Sequence, residues 1–86
     1  MPKKFYLNIL TPEASVYKGT VSSLIVPAAL GFLGVLADHA PLIANLKQGK
    51  ISIKEDSGGQ VIINNKGKGF IEVHKNKVVI LLDSVG

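Results

Sequence analysis

Short runs of β-forming residues, separated by glycine, proline and asparagine, extend over nearly the whole chain and restrict it to an all-β fold. Residues 51–54 and 70–74 alternate apolar and polar side chains, which is the period of a strand with one buried face. The run 78–82 is continuously apolar and predicts a strand covered on both faces. Pro41 interrupts the one segment, residues 37–46, whose alanine and leucine content would suit a helix. The pattern therefore predicts a β-sandwich or a small barrel.

Glycine, proline and asparagine also mark where strands are expected to end. Gly58-Gly59 lies between two β runs and predicts a hairpin, and Lys75-Asn76 predicts a turn because asparagine tolerates a positive φ. A short strand at residues 16–17 is expected to close at Gly19. A second strand, over residues 21–26, is expected to stop before Pro27.

The chain has 86 residues, which fits one domain spanning residues 1–86. It contains no cysteine, and its histidines, His39 and His74, lie far apart in sequence, so no disulfide framework or Cys/His metal site is predicted. We expect no cofactor. The apolar stretch 24–37 is broken by proline and glycine, which excludes a transmembrane helix there. The apolar run before Thr11-Pro12 is too short for a signal peptide. We expect a location on the cytosolic side of a membrane or inside a plastid.

The net charge of +4 comes from ten lysines and no arginine. Because the lysines are scattered in sequence, we interpret them as a coat that favours solubility. The alternative is a small basic barrel that binds nucleic acid, in which exposed aromatic side chains alternate with basic ones on one strand face. The five aromatic residues show no such alternation, although the sequence alone leaves this alternative open.

No group of residues predicts catalysis. Asp38 could orient His39 as a general base, but no nucleophile motif accompanies the pair. We therefore interpret His39 as a packing or hydrogen-bonding residue in a loop. Residues 67–69 lack the spacing of a phosphate-binding loop and are interpreted as a turn. We therefore expect a protein that is not an enzyme.

The segment 26–36 is the most unusual part of the sequence. Gly31 and Gly34 lie among apolar residues, which makes the segment a poor strand and a poor helix. It is either buried under the sandwich or presented to a partner as an apolar loop, and composition does not decide between the two.

Several pieces of the sequence occur in a specific order. They are Leu10–Glu13, Val16–Val21, Ile25–Pro27 with Gly31 and Gly34–Leu36, Asp38–Leu42, Leu46–Gly49, Gly69–Val73 and Asn76–Asp83. This ordered set resembles the N-terminal β-sandwich domain of the ε subunit of F-type ATP synthase, whose mitochondrial counterpart is the δ subunit. The resemblance covers essentially the whole chain.

The resemblance implies a flattened β-sandwich of two sheets with about ten short strands. It also implies a noncatalytic rotor subunit of the central stalk, which links the γ subunit to the c-ring and couples proton translocation to ATP synthesis. The implied location is peripheral, on the cytoplasmic side of the bacterial inner membrane, in preference to a plastid thylakoid. We expect a monomer in isolation and no binding of nucleic acid.

The resemblance also assigns two contact surfaces. Contact with the c-ring is expected from Ala29, Leu30, Gly31 and Phe32. Contact with γ is expected from His39, Ala40, Pro41 and Leu42.

The sequence departs from the family pattern in two ways. Similar proteins carry glutamates where this chain has Leu30 and Phe32, so ring contact would be apolar. Similar proteins continue with a C-terminal helical hairpin that this sequence does not contain, and the inhibitory and ATP-sensing roles of that hairpin are not carried over.

Overall fold

A computed structural model describes residues 3–86 as a set of antiparallel and parallel strands without a helix. In this range no helix is long and apolar enough to cross a membrane. The strands are β1 (Phe5–Leu10), β2 (Ser15–Ala28), β3 (Gly31–Leu36), β4 (Leu42–Leu46), β5 (Gly49–Glu55), β6 (Gln60–Asn65), β7 (Gly69–His74) and β8 (Lys77–Leu82).

The strands form the two layers of a flattened sandwich that share one long strand. One layer has the order β1-β8-β7-β4, with β1 and β8 parallel, and the other has the order β3-β2-β5-β6. The first half of β2 pairs with β1 and its second half pairs with β3 and β5, so β2 connects the layers. Where the second layer meets β4, the pairing is limited to Ala28 opposite Leu46. The predicted all-β sandwich is confirmed.

The described residues form eight strands rather than the expected ten, and the length of β2 accounts for one strand of the difference. The two strands predicted on either side of Gly19 form one strand of 14 residues. Gly19 pairs with Leu7 in mid-strand, so tertiary pairing overrides its preference for a turn. The prediction that Pro27 ends a strand is also wrong. Pairing of β2 with β5 stops at Ile25, so the N–H that proline lacks is not needed for that ladder.

Residues 31–36 form a regular strand, contrary to the expectation of a poor one. β3 pairs with β2 over six positions, from Gly31 opposite Ala28 to Leu36 opposite Ser23. The turn between the strands contains only Ala29 and Leu30, and Gly31 follows it with a φ of 133°. A positive φ of this kind favours glycine, and it allows the chain to reverse tightly at this point.

The core consists of apolar side chains that point inward from the strands, mostly at alternate positions. It contains Phe5, Leu7, Ile9, Val21, Leu24, Val26, Ala28, Val35, Leu46, Ile51, Ile53, Ile71, Val73, Val78, Ile80 and Leu82. The alternation predicted for β5 and β7 is confirmed. The prediction that β8 is covered on both faces is wrong, because Leu81 is 36% exposed on an outer face that no third layer covers in the described range.

Turn predictions agree with the backbone. Gly58 has a φ of 103° in the β5–β6 hairpin, and Lys75 and Asn76 have φ values of 48° and 60° in the β7–β8 turn. Asp38 also has a positive φ, of 65°, in the β3–β4 connection. Asparagine and aspartate adopt this conformation more readily than most residues because their short polar side chains can hydrogen bond locally.

Candidate functional site

The β2–β3 hairpin projects an apolar tip, which we define as Ala29–Phe32. Leu30 is fully exposed, at 103% of its reference area, and Phe32 is 76% exposed. Along β3 the side chain of Val35 enters the core while those of Phe32 and Leu36 face outward. The strand is apolar on both of its faces, and only one face is needed by the core. The sequence left open whether segment 26–36 is buried or presented to a partner, and the structure exposes one face of its β3 part.

The hairpin tip borders an open cleft between β3 and β4. β3 pairs with β2 along one edge, and in the described range no strand pairs with its other edge. The cleft has a volume of about 620 Å³. Its lining comes from both strands and the hairpin turn: Ala28, Ala29, Leu30, Gly31, Phe32, Leu33, Leu42, Ile43, Ala44 and Asn45. The Ala29 N–H donates a 2.9 Å hydrogen bond to the Asn45 carbonyl, which fixes the tip to the end of β4.

The segment His39–Leu42 leads from the β3–β4 connection into β4, on the side of the cleft away from the tip. Ala40 and Pro41 are exposed, and His39 is half-buried. The His39 N–H donates to the Leu36 carbonyl at 3.2 Å, and its ring Nδ1 lies 2.7 Å from the Ala40 carbonyl. The ring therefore makes a local hydrogen bond, as interpreted from the sequence.

The Asp38 carboxylate does not orient His39. One carboxylate oxygen accepts a bond from Lys3 Nζ at 2.6 Å, and the other accepts a bond from Asn76 Nδ2 at 3.0 Å. The hydrogen bond from Lys3, and to a smaller extent the one from Asn76, lowers the pKa of Asp38. The hydrogen bond to Asp38 in turn raises the pKa of Lys3. The arrangement ties together the β3–β4 connection, the β7–β8 turn and the N-terminal segment.

The structure brings together only part of the eight residues predicted from the sequence. The four residues of the hairpin tip and Leu42 line one cleft, whereas His39, Ala40 and Pro41 lie outside that lining. Leu42 is half-buried and packs against the core, so most of its surface is not available to a partner. Within residues 3–86 no three His, Cys, Asp or Glu side chains are grouped as a metal site.

Sequence reasoning missed an exposed apolar residue, Ile43, and a group of lysines. Ile43 is 71% exposed on β4, opposite Glu72 of β7. The sequence could have indicated this exposure, because Ile43 alternates with the inward-facing positions 42, 44 and 46 of a strand. The lysines, by contrast, come together only through the topology.

We name this group the lysine end; it consists of Lys47, Lys50, Lys66 and Lys68. All four side chains are exposed. The buried Asn65 side chain donates a 2.9 Å hydrogen bond to the Lys47 carbonyl and accepts one from the Gly67 N–H at 3.2 Å. This amide links the β4–β5 turn to the β6–β7 turn. The interpretation of the lysines as scattered does not hold for these four.

A family model for the ATP synthase delta/epsilon chain beta-sandwich domain matches residues 4–85. The ATP synthase epsilon chain of Leptospira interrogans (serovar copenhageni) is 40% identical over 80 residues, which cover 93% of this chain and 61% of that protein. The epsilon chain of Dichelobacter nodosus is 36% identical over 83 residues, which cover 96% of this chain and 57% of that protein. The chain thus spans about three fifths of the length of these relatives.

Two solved structures share the fold at low sequence identity. A chain of the Euglena gracilis mitochondrial ATP synthase superimposes with a TM-score of 0.90 at 19% identity, covering 100% of this chain and 54% of the other. A chain of the Tetrahymena thermophila mitochondrial ATP synthase central stalk and c-ring superimposes with a TM-score of 0.78 at 16% identity, covering 98% of this chain and 66% of the other.

Proposed function

This chain belongs to the ATP synthase delta/epsilon chain family, and it matches the beta-sandwich domain of that family. From this premise we propose that it is a noncatalytic part of the central stalk of an F-type ATP synthase. In this role it joins the γ subunit to the c-ring and turns with them, so that proton translocation is coupled to ATP synthesis.

The observation that carries the proposal is the exposure of the hairpin tip. Leu30 occupies a tight turn, where glycine, asparagine or aspartate would be usual in a surface loop, and its side chain contacts water on all sides. Removing one such side chain from water is worth roughly 1.5–3 kcal/mol. An exposed ion pair at the same place would contribute about 0–1 kcal/mol. An apolar tip can therefore replace the glutamates of similar proteins as the contact with the c-ring.

The proposed contact with γ is the opposite side of the cleft, formed by His39–Leu42 and extended by Ile43. The hydrogen bonds of Asp38 with Lys3 and Asn76 hold the start of this segment, and Pro41 fixes one φ angle within it. A preorganised segment loses less conformational entropy on binding than a mobile loop does. Ile43 supplies exposed apolar area beside it. This surface and the hairpin tip lie on opposite sides of one cleft, so one domain can present one side to each partner.

A noncatalytic role agrees with the state of the polar side chains. Asp38 is engaged by Lys3 and Asn76, and Glu55 accepts a 2.7 Å hydrogen bond from the Tyr17 hydroxyl. His39 bonds to a neighbouring carbonyl. These contacts are ordinary structural ones, and none aligns an acid or a base with a nucleophile. We further propose that the chain is held on the cytoplasmic side of a bacterial inner membrane through the c-ring.

The alternative of a nucleic-acid-binding barrel gains no support. The exposed aromatic residues Tyr6 and Phe70 share the outer face of the first layer, but the row between them contains Glu72. Phe32 lies on the other layer. A stacking platform needs aromatic faces next to one another along a basic track, and this arrangement is absent from the described surface.

The test is purification of the assembled enzyme through an affinity tag on this chain. The membranes should come from cells that express the tagged chain in place of the native one. Recovery of both γ and c subunits would support the proposal. A tagged Ile43→Asp chain, which changes one exposed side chain of the proposed γ contact, should recover less γ than the unchanged chain. Recovery of neither subunit from intact, ATP-synthesising membranes would overturn it.

A further inference from the structure

The lysine end and the hairpin tip form one continuous surface at the same end of the sandwich. The Lys47 N–H donates to the Pro27 carbonyl at 2.9 Å, next to the tip. Gln48 Nε2 donates to the Lys66 carbonyl at 2.8 Å, and the Asp83 N–H donates to the Lys68 carbonyl at 2.9 Å. These hydrogen bonds place two turns, the segment after β8 and the base of the hairpin side by side. The base of the hairpin that carries the fully exposed Leu30 is thus next to the turn that carries Lys47.

The ion pairs of the described residues lie away from the lysine end. The two ion pairs found in residues 3–86, Lys3–Asp38 and Lys4–Asp56, lie at the opposite end, where the β5–β6 hairpin turns. Within β5, Lys50 and Glu55 are separated by about 17 Å at the rise of a strand. At the lysine end the side-chain carboxylates of the described residues are those of Glu13 and Asp83, and neither is within ion-pair distance of a lysine.

We propose that the surface meeting the hairpin tip is acidic, with carboxylates that face the lysine end around an apolar contact for Leu30. The proposal rests on the proposed function and specifies its partner: the exposed loops of the c-ring would carry carboxylates opposite Lys66 and Lys68. Complementary charge at the rim of an apolar contact sets the orientation of the partners and speeds their association. An unpaired basic rim would disfavour a neutral or basic partner.

A protein partner fits this surface better than an anionic bilayer does. Phe32 lies two residues up β3 from Leu30, about 7 Å farther from the turn, so a flat surface would receive only one apolar side chain. Proteins that bind at a bilayer interface bury a broad apolar face about 5–10 Å deep. The apolar area here continues sideways into the β3–β4 cleft, toward Leu33, where a folded partner can follow it.

The experiment measures binding of the chain to purified c-ring and, separately, to γ. Lys66→Glu with Lys68→Glu should weaken binding to the ring about tenfold and leave binding to γ unchanged. Lys18→Glu with Lys54→Glu makes the same change in net charge away from the tip and should alter neither by more than about twofold. Equal losses with both pairs would overturn the proposal, as would no loss with either pair. If the wild-type chain bound neither γ nor the ring, the proposed function itself would fail.

A zero-length carbodiimide cross-link identifies the partner groups directly. The reagent joins a lysine amine to a carboxylate that touches it, so Lys66 or Lys68 should become linked to a c subunit in the assembled enzyme. Lys66→Arg with Lys68→Arg keeps the charge but cannot form the amide, and it should bind the ring normally without a link at positions 66 and 68. Vesicles of phosphatidylcholine with phosphatidylglycerol should not bind the chain. Vesicle binding that depends on Lys66 and Lys68, without a link to the ring, would replace the acidic protein partner with a membrane.

Discussion

Asp38 and Asn76 hold one another in left-handed backbone conformations across 38 positions of sequence. The Asp38 N–H donates to Asn76 Oδ1 at 2.6 Å, and Asn76 Nδ2 donates back to Asp38 Oδ1 at 3.0 Å. The Asn76 carbonyl also accepts a 2.9 Å bond from the Tyr6 N–H. The pair therefore joins three separate segments at the edge proposed to contact γ.

Replacement of Asn76 separates its two contributions. Asn76→Gly keeps the freedom to adopt a φ of 60° and removes only the side-chain hydrogen bonds, so we expect a loss of about 1 kcal/mol in the free energy of unfolding. Asn76→Ala adds the cost of a left-handed alanine and should lose about 1 kcal/mol more. Urea unfolding of both variants measures the difference. Equal stabilities for the two variants would mean that backbone strain plays no part.

Tyr17 predicts a specific alkaline dependence of stability. Burial, followed by the hydrogen bond to Glu55, raises the pKa of Tyr17 to about 12 from an ordinary value of 10.0. Because the pKa is higher in the folded state, the contribution is complete below pH 10 and is lost as the pH rises through about 12. Tyr17→Phe should lack this loss. The check is the difference in unfolding free energy between the two proteins across that range, and a constant difference would contradict the assignment.

Two glycines provide a matched pair for the packing of the sandwich. A Cβ added at Gly69 would lie 2.5 Å from the Leu81 carbonyl oxygen and 2.7 Å from a Leu82 methyl group, whereas one at Gly34 would meet nothing within 4 Å. We expect Gly69→Ala to cost roughly 1–3 kcal/mol, because the β8 backbone must move. Gly34→Ala should be neutral or stabilising by up to about 1 kcal/mol. Thermal unfolding of both variants tests the contrast, and similar midpoints would contradict it.

The surface proposed to contact γ predicts different outcomes for adjacent residues. His39→Gln should leave proton-driven ATP synthesis largely intact, because the ring makes only a local hydrogen bond. Ile43→Asp should weaken γ binding without unfolding the domain, since the side chain is 71% exposed. Leu42→Asp would also destabilise the fold, because Leu42 packs against the core. Normal assembly with lost synthesis in His39→Gln would require a proton-transfer role for that histidine.

The strands and turns were largely predictable because their signals are local. The alternation in β5 and β7 and the turns at Gly58 and Asn76 each depend on a few neighbouring residues. The continuity of β2 was not predictable in this way. Its pairing partners lie in β1, β3 and β5, and their combined hydrogen bonds outweigh the local preferences of Gly19 and Pro27.

The candidate site was predictable in position and not in detail. The sequence marked residues 26–36 as unusual, but a strand that is apolar on both faces carries no period that distinguishes inside from outside. Exposure of Leu30 follows from the two-residue turn, which only the pairing of Ala28 with Gly31 defines. The lysine end joins turns that are about 20 residues apart in sequence, so it required the topology.

Phe32→Asp separates a contact role from a core role for the hairpin tip. Phe32 is 76% exposed, so the substitution should change the free energy of unfolding by less than about 1 kcal/mol while loosening attachment to the c-ring. Phe5→Asp is the matched control, because Phe5 is buried in the core and its replacement should unfold the domain. Unfolding of Phe32→Asp would show that Phe32 belongs to the core.

A disulfide between the hairpin tip and the c-ring tests the central claim most directly. The chain contains no cysteine, so Phe32→Cys introduces a single thiol, and a second cysteine is placed in the exposed loop of the c subunit. We predict that mild oxidation links the two chains in the assembled enzyme, that rotation-coupled ATP synthesis continues because both partners belong to the rotor, and that Thr20→Cys, distant from the tip, gives no link. Failure of the Phe32→Cys variant to form the link, in an enzyme that retains this chain and both partners, would contradict the placement of the tip against the ring.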